Sequence, residues 1–104
     1  FPLHDSVRLW EYARFGERHG THDATIGIIA HELGHGAFHL PDLYDGSGNT
    51  GGIGGFGMMS GGSWGYKSGE HSGQTPVHPT GWSKIKMNFM YILDKNNLGT
   101  VCAG

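Results

Sequence analysis

Two histidines stand four residues apart in His31-Glu32-Leu33-Gly34-His35, with a glutamate beside the first. On a helix, positions i and i+4 lie one turn apart on the same face, so the two imidazoles can hold one ion together. Zinc bound by neutral imidazoles at about 2.0 to 2.1 Å keeps one position for water and lowers that water's pKa towards roughly 7. Glu32 can take the proton as the water attacks a peptide carbonyl, then pass it to the leaving amine. The pattern points to metal-assisted hydrolysis without a covalent intermediate. In a chain with eight histidines it can also arise by chance, so its surroundings must be read as well.

A catalytic zinc site needs a third protein ligand. His39 and Asp42 are the candidates. On a straight helix His39 would lie about 12 Å along the axis from His31, too far to share a tetrahedral ion with it unless the helix broke first. Asp42 follows Pro41, where the chain can fold back beneath the histidines and offer a carboxylate oxygen at about 2.0 to 2.2 Å. We favour Asp42 and read His39 as a helix-terminal residue that tolerates positive φ. The plainer role for Asp42 is that of a loop cap.

These residues must be positioned by a helix over about 24–38, in which Ile26, Ala30, Leu33 and Ala37 recur at helical spacing and are expected to form its buried face. Gly27, Gly34 and Gly36 each cost such a helix roughly 1 kcal/mol relative to alanine, so close approach of another backbone is expected there. Leu40 precedes Pro41, which pushes it out of the α region and stops the helix near His39. An earlier helix is expected from Asp5 to His19, capped by Asp5 and ended by Gly20. Residues 46–73 are glycine-rich and lack apolar alternation, so they read as an ordered loop. Its Ile53, Phe56, Met58, Met59 and Trp64 are too apolar for a linker and should fold back on the core. Thr80 can cap a final helix over about 80–88, ending at Asn88, with a short strand from Met90 to Leu93 after it. A continuous helix to Leu93 is the competing reading, since Trp82, Ile85, Phe89 and Ile92 keep an amphipathic spacing.

A chain of 104 residues fits one small domain, and a complete peptidase with a substrate cleft usually needs more core. Phe1 stands where an initiator Met would, so the expectation is a partial catalytic domain spanning residues 1–104. No apolar run approaches the roughly 20 residues of a membrane helix. The net charge of -2, with scattered basic residues, argues against nucleic acid as a partner. Cys102 is the only cysteine, so no internal disulfide is possible. Asp45, Ser47 and Asn49 alternate as oxygen ligands do in calcium loops, but the acidic residue closing a twelve-residue loop is missing. Ca2+ is therefore only a second candidate ion, and a plain turn is the alternative. His4, His19, His22, His71 and His78 have no ligand spacing and are assigned surface or capping roles.

The run HELGHGAFHLPDLYD, then GFGMMSGGSWG, then TPVHPTGWSKIK resembles the immune inhibitor A (M6) family of metallopeptidases, in the family's order and spacing. The resemblance implies a secreted zinc endopeptidase acting on protein or peptide substrates. It also implies an α+β, zincin- or metzincin-like domain, of which this chain would be a fragment. Within it, His31, His35 and Asp42 would hold Zn2+, Glu32 would be the catalytic base, and Met58 or Met59 would form the methionine turn under the metal. His39 stands where the family has a glycine, with one more residue than usual between His35 and Asp42. The sheet on which such a helix rests, and which would bind extended substrate, is expected upstream, so activity should need residues outside the chain. The alternative is a non-catalytic zinc-binding or degenerate peptidase-like module, against which the intact Glu32 argues. A third reading takes the motif as accidental and Trp64 as part of a protein-binding surface.

Overall fold

The structure is a computed structural model and describes residues 3–8 and 12–89. Two small hairpins come first. β1 (Leu3–His4) pairs antiparallel with β2 (Val7–Arg8), and β3 (Arg18–His19) with β4 (His22–Asp23). Two α-helices follow, α1 (Ile26–Phe38) and α2 (Gly81–Lys86), with 3-10 turns at Gly54–Phe56 and Gly61–Trp64 between them. The architecture is α+β, and among the described residues the strands are those of the two hairpins.

The helix expected from Asp5 to His19 is not formed in its described residues, 5–8 and 12–19. Asp5 and Ser6 take φ of 48° and 63°, the left-handed conformation that a two-residue hairpin turn demands and a helix start excludes. Gly20, at φ 63°, turns the second hairpin instead of ending a helix. Arg18 closes that hairpin by donating to Asp23 at 3.3 Å and to the Thr21 carbonyl at 2.8 Å. Tyr12 and Phe15 remain exposed and form no buried helical face.

α1 starts after Thr25, whose hydroxyl does not cap it. It donates instead to the Ser72 carbonyl at 2.7 Å, while the Gly27 N–H reaches the Gly73 carbonyl at 2.8 Å. Both bonds satisfy or steady the helix start from the distant glycine-rich loop. The other end closes on His39 at φ 53°, with the Leu40 N–H bonded to the Gly34 carbonyl at 3.0 Å and the Leu40 side chain buried. The left-handed residue and this backbone return satisfy carbonyls of the last turn and close the helix, and Pro41 then carries the chain away.

The face that α1 buries differs from the apolar stripe. Gly27, His31 and Gly34 are buried, whereas Ile26 is 60% and Leu33 47% exposed. A Cβ at Gly27 would run into the Ser63 carbonyl, and one at Gly34 would stand 2.5 Å from the Met59 sulfur. The helix therefore meets the loop through its glycine edge, where backbones approach closely, and the spacing of the apolar residues does not say which face is covered.

The loop over 46–73 forms no strand and folds against α1 through the Gly61–Trp64 turn. Met59 is fully buried, while Phe56 is 90% exposed, contrary to its expected place in the core. α2 begins as expected, with the Thr80 hydroxyl accepting from the Ser83 N–H at 3.2 Å. It ends at Lys86, and Asn88 takes φ 61°. That conformation breaks the helix and rules out its continuation through residue 88. The strand expected at Met90–Leu93 lies outside the described residues. Phe89 meets Phe38 edge to face at 5.5 Å, joining the C-terminal ends of the two helices.

Candidate metal centre

His31 and His35 lie one turn apart on α1, and each ring is fixed by a backbone carbonyl. His31 Nδ1 is 2.9 Å from the Met58 oxygen, and His35 Nδ1 is 2.6 Å from the Leu40 oxygen. A carbonyl only accepts, so both Nδ1 atoms carry the hydrogen, and in the neutral ring each Nε2 is left with a free lone pair. The left-handed closure at His39 thus does more than end the helix, because it delivers the Leu40 carbonyl that orients His35.

The two Nε2 atoms are 3.1 Å apart, and Oδ1 of Asp42 lies 3.1 Å from His31 Nε2 and 3.0 Å from His35 Nε2. Two lone pairs and a carboxylate oxygen so close together repel one another unless a cation or a proton sits among them. A tetrahedral ion at about 2.0 to 2.1 Å from each ligand would space them by about 3.3 to 3.4 Å, so the triangle need open by only a few tenths of an ångström. Nitrogen and carboxylate donors of this kind suit zinc. Among the described residues this is the group whose ligand atoms converge within 4.8 Å. His31 is buried, and Asp42 stands at the surface with 37% of its side chain exposed, which leaves an open side for a further ligand. His39 caps α1 and is not in this group.

Beside the triangle an open cleft of about 360 Å³ is lined by Ile28, His31, Glu32, Tyr44, Ser60 and Trp64 among others. Glu32 follows His31 on the helix and faces this space, where a water or a substrate carbonyl could meet it. Tyr44 was not singled out in the sequence. It sits two residues after Asp42, a spacing that in extended chain places both side chains on one side. Its ring is nearly parallel to that of His31, at 18° and 6.5 Å between centroids. A hydrogen bond to Asp42, and then the negative charges of Asp42 and Glu32, push its phenol pKa above the ordinary 10.0.

Both methionines of the loop serve the site, in different ways. Met59 fills the space under Gly34 with its side chain, while Met58 contributes its carbonyl to His31. The Met59 carbonyl also accepts from the Leu43 N–H at 2.7 Å, tying the Asp42–Tyr44 segment to the same loop.

The Asp45 loop closes on its own donors and does not fit the calcium expectation. Asp45 Oδ1 accepts from the Ser47 N–H at 2.9 Å and from its hydroxyl at 2.5 Å, and Oδ2 accepts from the Thr50 N–H at 3.1 Å. The Ser47 hydroxyl first, then its N–H, lowers the Asp45 pKa. A carboxylate ringed by N–H and O–H groups is the centre of an ordinary turn, since those donors would point at any cation it held. Three histidines without sequence spacing do meet: His22 stacks on His71 at 3.8 Å, and His19 lies 6.0 Å from His22 and 5.3 Å from Trp64.

No helix among the described residues is long and apolar enough to cross a membrane. No curated protein and no solved structure matches the chain. Residues 15–96 match the family model of the immune inhibitor A peptidase M6 catalytic domain, a stretch that holds the histidine pair, Glu32, Asp42, Tyr44 and both loop methionines. With most of its length and its entire candidate metal centre inside that match, the chain belongs to the immune inhibitor A (M6) peptidase family.

Proposed function

We propose that this chain carries the metal centre of a zinc-dependent endopeptidase, with His31, His35 and Asp42 as ligands and Glu32 as general base and acid. The convergence of two orphan imidazole lone pairs on one Asp42 oxygen, at 3.0 to 3.1 Å, carries this reading. Zinc bound there would supply a Lewis acid that polarises the scissile carbonyl and acidifies the attacking water. The histidines bind through Nε2 because the Met58 and Leu40 carbonyls hold their Nδ1 hydrogens. Glu32 takes a proton from the water as its oxygen bonds to the carbonyl carbon. The same carboxyl returns the proton to the amine nitrogen as the C–N bond breaks. The substrate is a protein or peptide laid along the open cleft, in a zincin-like setting, and by family resemblance the enzyme is secreted.

Elemental analysis after dialysis tests the ligand set. One zinc per chain is expected for the wild type and for His39→Ala, and little for Asp42→Ala. A folded wild-type chain without zinc would sink the reading. Glu32→Ala should keep the metal and lose peptide cleavage. If the wild type binds zinc but cleaves nothing, either alone or joined to the rest of its catalytic domain, the non-catalytic zinc-binding module is correct.

A further inference from the structure

Histidines outside the metal centre stand where the β3–β4 hairpin, the start of α1 and the glycine-rich loop meet. His22 on the hairpin stacks on His71 of the loop, with ring centroids 3.8 Å apart and planes inclined by 14°. His19 lies 6.0 Å from His22 and 5.3 Å from Trp64, which lines the cleft beside the metal centre. Its Nδ1 is 3.5 Å from the Thr25 hydroxyl, whose own hydrogen goes to the Ser72 carbonyl at 2.7 Å. Next to that bond, the Gly27 N–H meets the Gly73 carbonyl at 2.8 Å. His71 thus directly precedes the two residues whose carbonyls hold the start of α1.

Imidazole is the side chain that ordinarily changes charge between about pH 5 and 8. His22 Nδ1 donates to the Asp23 carbonyl at 2.8 Å, so in the neutral ring Nε2 is free to take a proton. One imidazolium on a neutral ring is an attractive cation–π contact, whereas two place like charges about 4 Å apart. The charged side chains on and beside the hairpin are Arg14, Glu17, Arg18 and Asp23, and those of the loop are Lys67 and Glu70. Arg18 and Asp23 pair with each other at 3.3 Å, and Glu70 accepts from the Thr75 hydroxyl and the Lys67 N–H. The first turn of α1 has no acidic residue, and among the described residues no carboxylate pairs with His19, His22 or His71. An open joint accepts both protons and the stack resists the second, so acid shifts the balance towards opening.

We propose that His22 and His71 form an acid-sensitive clasp: once both are protonated the hairpin parts from the loop, and the start of α1 and the Trp64 wall of the cleft lose their support. His19 adds a third charge beside the pair and adjoins Trp64 directly. Neutral conditions keep the cleft in shape and acid opens it, by a route that does not pass through the metal ligands.

The test is amide hydrogen exchange on the full chain at about pH 7.5 and about pH 5.5, each rate corrected for its intrinsic pH dependence, in wild type, His22→Phe, His71→Phe and the double variant. In the wild type, protection of the Gly27 N–H is expected to fall about tenfold in acid, while the Met87 N–H, bonded to the Ser83 carbonyl at 2.9 Å in α2, keeps its own. Phenylalanine leaves a flat ring in the stack and removes one charge, so in each single variant the fall should shrink to less than about twofold. The double variant should show no further reduction. All four proteins keep the metal ligands, so any response of the metal centre is common to them. No fall at Gly27, or equal falls at Gly27 and Met87 in the wild type, would overturn the clasp without recourse to a variant. So would single variants that keep the wild-type fall, or that each remove half of it, since the two histidines would then act independently.

Discussion

Gly34 and Met59 meet through a side chain that is not there: a Cβ on Gly34 would stand 2.5 Å from the Met59 sulfur. The contact seats the histidine-bearing helix on the glycine-rich loop about one turn from His31 and next to His35. The same economy recurs at Gly27, against the Ser63 backbone, and together these positions set how closely helix and loop approach.

Substituting the helix glycines should separate packing from helix propensity. Alanine at any of them favours the helix by roughly 1 kcal/mol. At Gly27 the added methyl strikes a backbone carbonyl that cannot swing away, so Gly27→Ala is expected to destabilise by about 2 to 3 kcal/mol net. At Gly36 the methyl would lie 3.2 Å from the Ala13 Cβ, in irregular chain that can shift, so Gly36→Ala should stay within about 1 kcal/mol of wild type. Urea unfolding of the two variants checks the contrast, and equal losses would refute it.

Met59 is fully buried and should behave as a core residue. Met59→Ala is expected to cost about 2 to 5 kcal/mol, and Met59→Leu, which nearly keeps the volume, less than about 1.5 kcal/mol. Met58→Leu should leave the His31 anchor intact, because that anchor is the Met58 carbonyl. Zinc affinity and denaturation midpoints of the three variants distinguish a role of the side chain from one of the backbone.

His39 holds a left-handed conformation that costs a residue with a Cβ roughly 1 to 2 kcal/mol. His39→Gly relieves that strain, partly offset by the greater freedom glycine loses on folding. The expected outcome is a gain of about 1 kcal/mol with zinc content unchanged. Loss of zinc from this variant would return His39 to the ligand set.

Acid should weaken the turn that Glu70 organises. Its carboxylate accepts from the Thr75 hydroxyl at 2.6 Å and the Lys67 N–H at 2.9 Å, and these bonds, that of Thr75 first, lower its pKa from the usual 4.5. A depressed carboxylate stabilises the fold above its unfolded pKa, and that contribution fades as pH falls through the lower folded value. Glu70→Gln should therefore unfold at a lower temperature than wild type at pH 6, and the gap should shrink as the pH falls from 4.5 towards 3. A gap independent of pH would mean that the ionised carboxylate is not what matters.

What the sequence by itself determined lies within a few residues of the chain. The His31–His35 spacing defines a pair on one helical turn, Leu40-Pro41 ends the helix, and Thr80 and Asn88 bracket α2, because each acts through local dihedral angles and hydrogen bonds. The family was legible for a related reason, since its motifs are short and ordered along the chain. Local preference misled where it was ambiguous. Asp5 can cap a helix or turn a hairpin, and here it turns one: Asp5 and Ser6 both take positive φ, while Tyr12 and Phe15 stay exposed instead of forming a helical face. Tertiary structure alone decided which face of α1 is buried, for the apolar stripe has the right period whichever side the loop approaches, and the close approach at Gly27 and Gly34 selects the other side. It also divided the work of Met58 and Met59, stacked His22 on His71, and set Tyr44 beside Asp42 and Glu32. Except for those of Tyr44 with Asp42 and Glu32, these are contacts between residues tens of positions apart, fixed by how the loop packs, and no local spacing encodes them.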